Sequence, residues 1–217
     1  MTKKVKKTMW RALILLPFAL VLAPVGALAQ PSPTAQPSPT AESYLSDVAS
    51  HPDNTGGQAR LLHYLSVDMP IAVYVPLPDV KNGQAMRDAV VRAIKAWQNA
   101  APDVLQFMIV GQPGPDTTTV SWRHLDNVAA SYRYAYTITP ENQYRFHATE
   151  LILDPRDSPQ QVYRLALLVV GQGVGLLGRS PYSGDALSLD PSGSISERDV
   201  ATLRALYNVP SGTVLGR

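Results

Sequence analysis

Apolar and polar positions alternate or recur with a clear period from residue 69 onward. Residues 70–76 place Ile71, Val73 and Val75 on one side of an extended segment and Ala72 and Tyr74 on the other, which predicts a strand. Residues 84–100 repeat Met86, Val90, Ala93 and Trp97 at spacings of three and four, which predicts an amphipathic helix, and Pro102 lies just beyond it. Four further extended segments are predicted over 105–110, 117–122, 132–139 and 146–153. Ser158, Pro159 and Gln161 form a helix start: a serine that caps, a proline suited to the first helical position, and a glutamine placed to complete a capping box. Val162, Leu165, Leu168, Val169 and Gln172 continue that helix. Glycines then stand at 171, 173, 175 and 178. Residues 195–198 open a last helix that runs through Leu203 and Leu206, with Asn208 and Pro210 closing it. One strand, one helix, several strands and then helices predict an α+β domain.

The first 68 residues read differently. Lys3, Lys4, Lys6, Lys7 and Arg11 precede an apolar run over 12–29 that ends in Ala27-Leu28-Ala29. A basic start, an apolar run and small residues at −3 and −1 predict a secretory signal cleaved after Ala29. The competing reading is a retained anchor, since the run is close to spanning length, but Pro17 and Pro24 interrupt it. Residues 30–41 repeat QPSPTA twice, which predicts an extended, solvated stalk. Residues 42–68 are poorly defined by pattern: a short helix fits 43–49 and a turn-rich stretch fits 51–57. This divides the chain into signal (1–29), linker (30–41), an undefined segment (42–68), a domain (69–210) and a tail (211–217).

Composition changes two conclusions. The chain of 217 residues carries net +2, but residues 1–29 hold five basic and no acidic side chains, so the exported remainder carries −3. The basic character belongs to the signal, and no basic stripe is left for a nucleic-acid partner. Cysteine is absent, which excludes disulfides, thiolate metal ligands, a cysteine nucleophile and a cysteine-linked lipid anchor. After signal cleavage no integral membrane segment is expected, and the location is secreted or periplasmic.

The glycine-rich stretch holds the candidate chemistry. Residues 173–178 match GxGxxG, yet a capped helix precedes them where a dinucleotide site needs a strand. Over 166–185 the chain reads ALLVVGQGVGLLGRSPYSGD. This resembles the active-site helix and following loop of matrixin-type zinc metallopeptidases of the metzincin group, whose bacterial members often read HExGHxxGxxGHSP. Gly171, Gly175, Gly178, Ser180 and Pro181 match that pattern. PIAVYVP resembles the family's first strand, AVVRAIKAWQNA its first helix, TTTVSW its third strand and ISERDVATLRALYNVP its C-terminal helix. The resemblance covers about residues 69–210. It implies a twisted five-stranded mixed sheet with two main helices and a short C-terminal subdomain ending in a helix.

The resemblance also implies zinc, and the chain departs from it there. The zinc-ligand positions fall on Leu168, Gln172 and Arg179, the catalytic glutamate on Val169, and the Met-turn methionine on Leu187. Leucine cannot ligate, glutamine ligates poorly, arginine repels a cation, and valine moves no proton. No cofactor is therefore expected. The four histidines do not rebuild a site: His147 and Glu150 point to opposite faces of a strand, His124 and Asp126 make only a pair, and His51 and His63 lie outside the core pattern. Tyr132, Tyr134, Tyr136 and Ile138 share one face of a strand, read first as its buried face and second as a peptide-docking edge that places Tyr134 and Tyr136 in a binding cleft. Ser180, Ser183 and Ser188 read as turn residues. The function expected is an exported pseudopeptidase that binds a peptide or protein through Leu168, Gln172, Arg179, Tyr134 and Tyr136. Arg179 is expected to pair with Gln172 or an acidic group and to anchor any carboxylate ligand. The alternatives are a structural envelope domain on a Pro-rich stalk, and a zinc-dependent endopeptidase as the resemblance alone would suggest.

Overall fold

The structure is a computed structural model that describes residues 45–47, 59–141, 143–188 and 190–215. The expected signal, the QPSPTA repeat and the turn-rich stretch over 51–57 lie outside the described residues. Of the short helix expected over 43–49, residues 45–47 are described and helical.

Five strands form one mixed sheet. β1 (Ile71–Tyr74), β2 (Phe107–Val110), β3 (Thr118–Trp122), β4 (Ala130–Ile138) and β5 (Tyr144–Leu153) lie in the order β2-β1-β3-β5-β4. β1, β2, β3 and β5 are parallel neighbours, and β4 returns antiparallel to β5 as an edge strand. A register shift between Arg133 and Tyr134 interrupts that last pairing. The β1–β2 crossover is α1 (Gly83–Ala100), whose periodic residues Met86, Val90, Ala93 and Trp97 are all buried. α2 (Pro159–Gly173) follows β5 and packs against α1, β4 and β5. α3 (Glu197–Tyr207) closes the domain. The architecture is α+β with a five-stranded mixed sheet, the three α-helices named above, a 3-10 turn at Ser66–Asp68 and the helical residues 45–47. None of the described helices is long and apolar enough to cross a membrane.

Boundaries moved for local reasons. The strand expected over 105–110 begins at Phe107, because the Leu105 N–H donates to the Ala101 carbonyl and closes the turn leaving α1. Ser158 caps α2 by accepting from the backbone N–H of Gln161, so the glutamine serves the cap through its main chain. Ser196 caps α3 within a full capping box closed by Asp199. The tyrosine face of β4 is not uniformly buried: Tyr132 and Tyr134 are half-buried, while Tyr136 and Ile138 are exposed toward the hairpin.

Residues 59–68 and 211–215 belong to the packed structure. Arg60 bridges Val214 antiparallel, the Leu61 N–H donates to the Thr213 carbonyl, and the Gly212 N–H donates to the Leu61 carbonyl. Leu61, Leu62 and Tyr64 join the core. His63, expected outside the core, is buried, with its ring nitrogens 2.8 Å from the carbonyls of Tyr64 and Val209.

Candidate functional site

α2 sets the site because one of its faces is fully buried. Leu168 and Gln172 are four residues apart and project from the same face. Leu168, Val169 and Gln172 are all buried, and the two apolar side chains join the core cluster. The approach of α1 to α2 depends on Gly171. The Trp97 Nε1–H donates to the Leu167 carbonyl at 2.8 Å, and a β-carbon at Gly171 would lie 2.7 Å from Trp97 Cζ2 and 2.9 Å from Leu187 Cδ2. Leu187 thus packs beneath the helix, inside the buried run Asp185–Ser188.

The chain reverses after α2 at Gly175. Its φ of 110° lies in the left-handed region, and a β-carbon there would sit 2.2 Å from the Leu62 carbonyl oxygen. The turn delivers Gly178 and Arg179 back over the helix end. Gln172 Nε2 donates to the Gly178 carbonyl, and Arg179 Nη1 donates to the Ser188 carbonyl, both at 3.5 Å. The expected Arg179–Gln172 pairing is therefore replaced by two separate contacts to backbone carbonyls. Burial of part of the Arg179 side chain lowers its pKa from the ordinary arginine value, while the neighbouring Tyr132 opposes that shift. The Tyr132 hydroxyl donates to the Leu177 carbonyl at 2.7 Å. Burial raises this phenol's pKa, with Tyr134 adding to the rise and Arg179 opposing it.

Tyr132 is the tyrosine of β4 that meets the loop after α2. Tyr134 stacks on it, with ring centroids 6.1 Å apart. Tyr136 instead packs on Tyr144 at 5.4 Å, toward the hairpin end of the strand. With a rise of about 3.3 Å per residue, four residues separate Tyr136 from Tyr132 by about 13 Å. The structure thus brings Leu168, Gln172 and Arg179 to one end of α2 with Tyr132 and Tyr134 beside them, and sets Tyr136 apart.

The donor set does not fit zinc. Leu168 and Val169 supply no lone pair, and Arg179 brings a fixed positive charge. Among the described residues no three His, Asp or Glu side chains converge. His147 packs edge-on to Tyr64, His124 lies 3.6 Å from Asp154, and His63 is held by backbone carbonyls. The serines after α2 build turns: Ser180 Oγ donates to Asp185 Oδ2 at 2.6 Å, and Ser188 Oγ donates to the Asp190 carbonyl at 2.7 Å. Asp185 is further held by Arg198 at 3.0 Å.

A pocket of about 460 Å³ opens beside these turns, bordered by Arg164, Ser180, Tyr182, Ser188 and Asp190. Sequence reasoning passed over Arg164. Its signal was its spacing, four residues before Leu168 on the same helical face. A more open groove of about 740 Å³ is bordered by His63, Tyr64, Asp103, Gln143 and Tyr207, and takes up none of the expected site residues. Comparison of the chain with protein-family models and with curated proteins found no match.

Proposed function

We propose that this protein is an exported, matrixin-like pseudopeptidase that binds a peptide or protein without cleaving it. The observation that carries the reading is the packing of Leu168 and Val169 into the core, where the resembled family needs a ligand and a base. Apolar side chains there restore close packing and leave no polar group unpaired. A usable docking edge persists beside them. β4 is the outer strand of the sheet, so its outward backbone groups are open to an added strand. Tyr134 and Tyr136 supply aromatic surface on that strand, and Arg179 lies near Tyr132 toward its other end. The export signal ahead of the domain sets the work outside the cytoplasm, with cleavage after Ala29.

The experiment is metal analysis of the purified mature protein together with a peptide-cleavage assay. No stoichiometric zinc and no cleavage are expected. One tightly held zinc with chelator-sensitive proteolysis overturns the reading. N-terminal sequencing of the exported chain is expected to begin at Gln30; an intact apolar segment in the membrane fraction supports an anchor instead.

A further inference from the structure

The arginines of the described residues are almost all engaged. Arg123, Arg133, Arg145, Arg156, Arg198 and Arg204 each reach a carboxylate. Arg60 and Arg87 donate to backbone carbonyls, and Arg92 lies over the Tyr163 ring. Arg164 makes no hydrogen bond or ion pair to any described residue. Its stem lies against Gly193, where a β-carbon would sit 3.3 Å from Arg164 Cγ, and its side chain borders the pocket of about 460 Å³. A guanidinium on the wall of a pocket, with none of its five donors engaged by a described residue, is suited to a carboxylate.

A second positive charge lies close by. Arg179 donates to the carbonyl of Ser188, and Ser188 is itself part of the pocket wall. That contact is 3.5 Å long, so exchanging it for a charged acceptor loses little. The acidic residue on the wall, Asp190, is exposed and lies beyond ion-pair distance of Arg164. Asp185 behind the wall is occupied by Ser180 and Arg198.

We infer that this pocket takes an acidic side chain of the bound peptide, its carboxylate gripped by Arg164 with Arg179 lending charge from across the Ser188 segment. The inference rests on the peptide-binding reading above and specifies its ligand. The test selects random heptapeptides displayed on phage against the immobilised mature chain. Selected peptides are expected to carry Asp or Glu at one fixed position. A synthetic copy of one such peptide is expected to bind the wild-type chain about tenfold more tightly than its Glu→Gln or Asp→Asn version. That preference is expected to vanish in Arg164→Gln, to survive in part in Arg164→Lys, and to persist in Arg204→Gln, which lies elsewhere. Circular dichroism checks that the variants fold. Selection of peptides without an acidic position, or a preference unchanged in Arg164→Gln, overturns the carboxylate assignment and leaves peptide binding standing. Recovery of no peptide overturns both.

Discussion

Val169 has no exposed surface, and it stands where the resembled glycine pattern places a glutamate. A carboxylate placed there enters the core among apolar side chains. Val169→Glu is therefore expected to destabilise the fold by about 3–5 kcal/mol, the range for an uncompensated buried charge. Urea denaturation reads this directly, and an unchanged midpoint would show that the site is wetter than its packing implies. Two glycines allow a sharper comparison. Gly175 and Gly184 both have positive φ, 110° and 92°, but a β-carbon at Gly175 meets the Leu62 carbonyl at 2.2 Å while one at Gly184 meets nothing within 4 Å. Gly184→Ala thus bears only the backbone cost of about 1–2 kcal/mol. Gly175→Ala bears that cost and a collision with main chain, so its loss is expected to be at least twice as large. Equal losses in paired urea titrations would mean that the 62–63 segment yields easily. The glycine pattern was legible in the sequence because a turn out of a helix has few solutions. Arg164, four residues before Leu168, was passed over because a charged residue on a helix reads as solvated surface until a loop is seen to wall it in.

At the scale of elements, periodicity located each strand and helix of the sheet region because burial on one face leaves a period of two or 3.6. Trp97 illustrates this: its spacing from Ala93 and Val90 predicted burial, and it has no exposed surface. What periodicity did not carry was the ends, which are set by single hydrogen bonds. Ser158 Oγ accepts from the Gln161 N–H at 3.2 Å, so Ser158→Ala is expected to cost about 1 kcal/mol, measurable as a lowered melting temperature. The far end of β5 is held by charge. Asp154 accepts from the Leu125 N–H at 2.9 Å and from Arg156 Nη2 at 2.6 Å, tying the loop after β3 to the start of the α2 approach. The Arg156 hydrogen bond, opposed by burial and helped by the Leu125 and Arg156 backbone, lowers the Asp154 pKa well below the ordinary carboxylate value. The sign follows from linkage. A carboxylate whose folded pKa is depressed contributes stability at pH values above its unfolded pKa, and that contribution is lost as pH falls through the folded one. The stability gap between wild type and Asp154→Asn is thus expected to be widest near neutrality and to narrow steadily below the ordinary carboxylate range. A gap constant from pH 7 to pH 3 in thermal melts would assign the role of Asp154 to shape rather than charge.

At the scale of the molecule, the least legible feature is how the two flanks of the domain hold each other. Residues 59–63 show no alternation that marks a strand, and 211–215 read as a tail. Their structure comes from pairing between them, which a local pattern does not encode. The Leu215 N–H donates to the Ala59 carbonyl at 3.1 Å, the Leu61 N–H to the Thr213 carbonyl at 2.9 Å, and the Gly212 N–H to the Leu61 carbonyl at 2.7 Å. Arg60 adds a bond to the Gly212 carbonyl at 2.9 Å and lies over the Tyr144 ring. Beneath this ribbon Leu61 and Leu62 are buried, and the Leu62 carbonyl backs Gly175, the glycine that turns the chain into the candidate site. The flanks therefore support the site as well as the core. A fragment of residues 69–210 keeps all five strands and three α-helices but loses Leu61, Leu62 and Tyr64 from the core. Burying each such side chain contributes roughly 1.5–3 kcal/mol, a sum comparable to the whole stability of a domain, about 5–15 kcal/mol. The 69–210 fragment is expected to unfold at much lower urea than a 59–215 fragment, or to show no cooperative transition. Coincident midpoints would mean that the ribbon merely covers a core already complete without it.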